Sequence, residues 1–437
     1  MRRHANTICL AAFALLVSCG ERDVILPGER LDLRDGMAGA EVNTANEARP
    51  LALTAPVANA DWPQVGGSAT HAIAQPALGG SLTQIFAVNI GQGDSRQARI
   101  TAAPVVAGGV IYTLDARARV TATATSGAPV WAVDVTPVTD GGSDASGGGI
   151  SVAGGRVFVA TGFGELTVLD AATGGVLWTQ DLNAPGGPAP TVSGDIVYVV
   201  SRDGRALALD VATGLVRWQL AGTPSGANVS GGAGAAVTPE IAIFPFPSGE
   251  VMAVFPQGGL RRWAQVIAGD RPGSAAAAAA TDIAGDPVIA GDTVYVGNIS
   301  GRLVALNVAS GDRIWTATEG VVGPVVPAGG SVFLVNDVNE LVRLDNADGS
   351  VIWRTALPRF VEDRARRQRT IFAQHGPVLA GGRLIVASAE GIIRQFDPTS
   401  GASLGDIALP GGAASDPVVA GGTLYVVTKD GQLVAFR

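Results

Sequence analysis

The side chains able to do chemistry in this chain are few, and their spacing excludes most of it. Three histidines are present, His4, His71 and His375, and two cysteines, Cys9 and Cys19. Two distant histidines beyond the first four residues are too few for a histidine-based zinc site. Nothing in the chain has the frame of a nucleophile elbow. The glycine runs Gly147-Gly148-Gly149 and Gly231-Gly232 precede strand patterns. With no helix following, they lack the amino terminus that would hold a phosphate. The chain therefore predicts no catalytic residue, no cofactor and no metal. What remains is a set of contact chemistries: six tryptophans (Trp131, Trp178, Trp218, Trp263, Trp315 and Trp353), an aspartate at Asp282, and a basic cluster at Arg364, Arg366, Arg367 and Arg369.

The elements that position these residues are repeats. Pro190 to Trp218 contains an alternating apolar run (196–200), a turn at Arg202-Asp203-Gly204, a second run (206–209), and the turn Asp210 to Gly214. This reads as short antiparallel strands joined by tight turns. From opening residue to turn glycine is fourteen residues in Pro190–Gly204, Pro287–Gly301, Pro377–Gly391 and Pro417–Gly431. From turn glycine to tryptophan is again fourteen in Gly164–Trp178, Gly204–Trp218, Gly249–Trp263 and Gly301–Trp315. A fixed period means one supersecondary unit used many times. Units open near Pro104, Ile150, Pro190, Ala235, Pro287, Pro324, Pro377 and Pro417.

The eighth unit ends at Phe436-Arg437 before a fourth strand, and an isolated strand pattern, Ile85 to Asn89, stands ahead of the first. A leftover strand at one end and a missing one at the other predict a closed ring. The expected architecture is all-β, an eight-bladed propeller of four-stranded antiparallel blades. With 60 glycines and 16% charged residues, the composition agrees. One tryptophan per unit at a fixed position is expected to pack between blades; the seventh unit carries Gly405 there. A net charge of −8 argues against nucleic acid as a partner. The four arginines between 364 and 369 form a basic connector that could meet an acidic partner or lipid headgroups. Alanines 275–280 occupy the other long connector, read as a loop insertion on the face of Asp282.

At the amino terminus, Arg2, Arg3 and His4 precede an apolar run from Ile8 to Val17, too short to span a bilayer. Leu16-Val17-Ser18-Cys19 resembles a bacterial lipobox, which implies a signal peptide over 1–18 and lipidation of Cys19. Gly20, in place of an inner-membrane retention aspartate, implies the outer membrane, facing the periplasm. No disulfide is expected once Cys9 is removed with the signal. Residues 19–60 lack periodicity and predict a tether of roughly 35 Å coil dimension, ahead of a folded body over 61–437.

The pattern Gly-x-Leu-x-Ala-Leu-Asp-x-x-Thr-Gly-x-x-x-Trp, running through nearly all of residues 100–437, resembles the repeat of pyrroloquinoline quinone (PQQ) enzymes and their non-catalytic relatives. Lipobox, tether and eight blades together resemble the BamB family of lipoproteins of the outer-membrane β-barrel assembly (BAM) machinery. That resemblance implies a non-enzymatic scaffold that binds the periplasmic domains of BamA, associates with other BAM subunits, and assists nascent outer-membrane proteins. It also implies a partner contact on loops around blades four and five. Asp282 matches the first contact aspartate, Ala284 stands where a second is expected, and Val229-Ser230 fall in a stretch lacking the family's arginine. The alternatives are a PQQ-dependent dehydrogenase, or a propeller serving another envelope partner.

Overall fold

Each repeat folds as a meander of four antiparallel strands. In the third, the strands Thr191–Ser193, Ile196–Val200, Arg205–Asp210 and Val216–Ala221 pair in chain order. The last turn is closed by its first residue: the Asp210 carboxylate accepts from the Ala212 and Thr213 backbone amides and from the Thr213 hydroxyl. Gly214 then takes φ +75°, a left-handed conformation that glycine adopts without cost. The outermost pair slips by one residue just past Ala208↔Trp218. Such a bulge increases local twist, and the other tryptophan-bearing blades repeat it.

The computed structural model describes residues 46–72, 75–142, 144–225, 232–271, 282–362 and 364–437. The signal peptide, Cys19, the first part of the tether, Val229, Ser230 and alanines 275–280 lie outside them. Among the described residues there are eight four-stranded sheets, spanning 105–134, 148–181, 191–221, 236–266, 288–317, 326–356, 374–408, and 418–436 with Gln84–Asn89 as its fourth strand. These are the blades of an eight-bladed propeller. No α-helix occurs among them, only the 3-10 turns Val65–Gly67 and Ala365–Arg367.

The core sits between blades. Tyr112, Val120 and Ala122 of blade one cluster with Ile150, Val157 and Leu169 of blade two, and further clusters join each later pair. Middle strands are therefore covered on both faces and buried throughout, as in Ile196–Val200. Outer strands alternate exposed and half-buried residues, as in Val216–Ala221. A strand packed on both faces reads as a continuous apolar run, whereas one packed on a single face alternates. Ring closure is made by Gln84–Asn89 pairing antiparallel with Gln432–Phe436, extended by the reciprocal Thr83–Arg437 backbone bonds of 2.8 and 2.9 Å.

The segment preceding that strand differs from expectation. Residues 46–60, read from the sequence as tether, are bonded to the ring. The Glu47 amide donates to Ile352 O (3.0 Å), and Asn59 Nδ2 donates to Val419 O (2.7 Å). Arg343, only 1% exposed, donates to the Arg49 and Pro50 carbonyl oxygens at 2.7 and 3.2 Å. The chain then runs as a collar over the inner strands, bonding Val106 through Trp62, Val152 through Pro63, Val192 through Gln64, Val237 through Ala69 and Ile289 through Thr70. It thus steps across blades one to five in order. The collar has no strand periodicity because its bonds to the ring go to five different blades in turn.

Candidate functional site

The six tryptophans stand on outer strands and dock on the following blade. Trp131 Nε1 donates to Ala171 O at 3.0 Å, Trp178 to Val211 O at 3.1 Å, Trp218 to Pro256 O at 2.9 Å, Trp263 to Val308 O at 2.8 Å, Trp315 to Asn346 O at 2.9 Å and Trp353 to Pro398 O at 3.3 Å. Every acceptor lies in the last turn of the next blade. The turn glycine meets the indole face so closely that a Cβ on Gly214 would lie 2.6 Å from Trp178. Gly405 pairs with Gln395, the register position that holds tryptophan elsewhere. Its blade faces the eighth, whose outer strand is Gln84–Asn89, so no hairpin turn joins its third and fourth strands to receive a ring. Indole and turn are missing together.

Asp282 lies inside the fold. It is 2% exposed and interacts electrostatically with the buried Arg202 guanidinium, which burial pulls down in pKa and the Asp282 charge pulls back up. This charge pair couples the segment ahead of blade five to the Arg202 turn of blade three. Nearby, Glu319 (2% exposed) is a second buried carboxylate, held by Arg271 at 2.9 Å and Arg354 at 3.0 Å, while Arg271 also bonds Asp337 at 2.7 Å. Residues so far apart along the chain carry no common sequence signal.

The arginine cluster forms the tip of a hairpin. Val361 N donates to Thr370 O (3.0 Å) and Phe372 N to Arg359 O (2.8 Å). Arg364, Arg366, Arg367 and Arg369 are all exposed beyond that pairing, beside exposed Val361 and Ile371. None of the four has an ion pair among the described residues.

On the propeller axis lies a cavity of about 700 Å³, walled by the starts of the inner strands and by the collar. Gly66 permits the collar's turn: its φ is +60°, and a Cβ there would lie 2.2 Å from the His71 carbonyl oxygen. Both histidines of the propeller stand at this cavity, with Asp286, Asp337 and Asp416, and no arginine or lysine is among its described lining residues. Burial raises the Asp286 and Asp416 carboxyls above the ordinary carboxylate range and lowers the His375 imidazole. Sequence reading missed the two aspartates, although each precedes the proline that opens a blade.

The family model described as outer membrane protein assembly factor BamB matches residues 116–355 and 360–437. The chain belongs to the BamB family. No curated protein sequence matches it significantly. Among solved structures, BamB from Moraxella catarrhalis is similar over 82% of this chain and all of that one, at 19% identity and TM-score 0.67. A europium-containing methanol dehydrogenase is similar over 86% and 98%, at 14% identity and TM-score 0.67. A quinohemoprotein alcohol dehydrogenase from Comamonas testosteroni is similar over 86% and 80%, at 15% identity and TM-score 0.62. At such identities the likenesses speak for the ring alone.

The dehydrogenase likeness raises the question whether PQQ and its calcium ion suit this axis. PQQ is a tricarboxylate, and the cavity of this BamB-family chain presents carboxylates and no cationic side chain among its described lining residues. No group of three or more histidine, cysteine, aspartate or glutamate residues suited to a metal occurs among the described residues. The two cysteines, at 9 and 19, are not adjacent to each other. The residues present do not fit that cofactor.

Proposed function

We propose that this chain is a non-enzymatic scaffold lipoprotein of the BAM complex, held by lipid on Cys19 at the periplasmic face of the outer membrane. Its ring would bind the periplasmic domains of BamA and assist assembly and insertion of β-barrel proteins. The observation that carries this reading is the BamB family match, which runs through most of the propeller. The physical character of the ring supports it. Cores between every pair of blades and a closed circle of strands make a packed ring with loops between its strands, and binding residues concentrate on such loops. With Asp282 buried, the exposed Arg364–Arg369 hairpin is the charged loop best placed to meet a partner domain.

The test is co-purification of the full-length chain, tagged after the exposed Arg437, from gently solubilised outer membranes. BamA and its companion subunits are expected with the parent and reduced with an Arg366→Glu/Arg367→Glu variant. Absence of BamA from the parent, under conditions that keep the rest of its complex together, would sink the scaffold reading. Full recovery with the double variant would move the contact away from the hairpin.

A further inference from the structure

Asp286 and Asp416 occupy one repeat position in two blades, just before the proline that leads into the inner strands Val288–Ala290 and Val418–Ala420. Blades one, three, six and seven carry Ala103, Ala189, Gly323 and Gly376 there. Each carboxylate spends one oxygen on the preceding blade: Asp286 Oδ1 accepts from Gly234 N at 2.5 Å, and Asp416 Oδ1 from Gly376 N at 2.7 Å. Each also has an imidazole beside it. His71 acts on Asp286 while its Nδ1 lies 2.9 Å from Pro287 O, and His375 Nδ1 lies 3.9 Å from Asp416 Oδ1. The two carboxylates stand three blades apart around the axis, and each line the cavity wall. The third cavity aspartate, Asp337, is already neutralised by Arg271. Lys429 and Asp94 act on His375, with the Lys429 ammonium bonded to Ala389 O at 2.6 Å.

We propose that the axial cavity binds a small aliphatic dication, a diamine or short polyamine, whose two ammonium ends meet Asp286 and Asp416 while its chain lies along the apolar wall. Three features argue for this class. The volume of about 700 Å³ falls within the range of small-molecule sites, about 300–1,000 Å³. The charge of the described wall is carried by carboxylates, so anions are repelled and cations drawn in. Much of the cavity lining is apolar, Val325 and Val378 at blades six and seven included, which suits methylenes and does not suit a hydrated metal ion. Ile371 and Phe372, at the base of the arginine hairpin, are among the lining residues, but the proposal does not rest on the scaffold reading.

Isothermal titration calorimetry on the full-length chain in about 0.15 M salt, where exposed charges are screened, would test it. The probes are 1,4-diaminobutane, 1,6-diaminohexane and spermidine against hexylamine, 1,6-hexanediol, adipate and calcium chloride. At least one diamine or spermidine should bind ten times or more as tightly as hexylamine, with no measurable binding of the diol or diacid. Asp286→Asn and Asp416→Asn should each weaken that binding tenfold or more, whereas Asp406→Asn, on the exposed outer strand of blade seven, should leave it unchanged. Equal binding of hexylamine and the diamines, indifference to both asparagine variants, or displacement of the diamine by equimolar calcium would overturn the proposal. Should either variant fail to fold, the ranking of probes on the parent decides alone.

Discussion

An indole docked across a blade boundary depends on the glycine beneath it. Trp353 is fully buried against Gly401, which a Cβ would bring to 2.7 Å from the ring. Trp353→Ala is expected to cost about 3–5 kcal/mol, read from urea unfolding. Gly214→Ala should cost about 1–3 kcal/mol, since it joins a left-handed φ to a clash with Trp178. Introducing the absent ring by Gly405→Trp should stabilise nothing, because blade eight has no turn to receive it. Asp286 gives a pH signature of the same scale. Burial raises its folded-state pKa, Asp416 adds to the rise, and His71 opposes it. The folded state then holds a proton that the unfolded state releases, so this contribution is present below the ordinary carboxylate value of about 3.9 and fades as pH climbs through the raised one. The stability of Asp286→Asn relative to the parent should therefore improve as pH rises from about 4 toward neutrality. Urea midpoints across that interval, falling in parallel for both chains, would contradict it.

At the scale of elements, the collar is the part whose role no local pattern announces. Its first stretch supplies two carbonyl acceptors to the buried Arg343 guanidinium, whose other partners are Ser331 and Thr399. A chain beginning at residue 55 should be about 3–5 kcal/mol less stable than one beginning at residue 46, because a buried cation loses half its acceptors. Equal thermal midpoints for the two would show that Arg343 finds other partners. The repeat elements behave differently: strands, turns and docking residues all lie within about forty residues of one another and repeat in phase. The strand order, the outer-strand tryptophans and the Asp-to-Gly turns were therefore legible residue by residue. The collar, the Asp282–Arg202 pair and the Glu319 network were not, since each joins segments that the sequence keeps far apart.

For the whole molecule the decisive feature is closure. The pairing of Gln84–Asn89 with Gln432–Phe436 removes the two raw ends that an open stack of blades would carry. A chain ending at Gly431 should unfold without a single cooperative transition and aggregate through the unpaired edges of Thr423–Val427 and Gln84–Asn89 in blade eight, as size-exclusion chromatography would reveal. A monomer with the parent's thermal midpoint would mean that blade contacts alone hold the ring. The axial cavity exists only because the circle is complete. Its two carboxylate–imidazole stations come from four places in the chain, residues 71, 286, 375 and 416.

The sequence by itself determined the eight-bladed ring, the strand that closes it and the residues that join blade to blade. These follow from short-range periodicity: strand alternation, turn chemistry and a fixed repeat length are local and are copied eight times. The tertiary structure alone decided that Asp282 is buried, that residues 46–60 belong to the ring, and that two aspartates and two histidines face one another around the axis. Those arrangements depend on how blades meet around a circle, and neighbours in a circle are not neighbours in a chain.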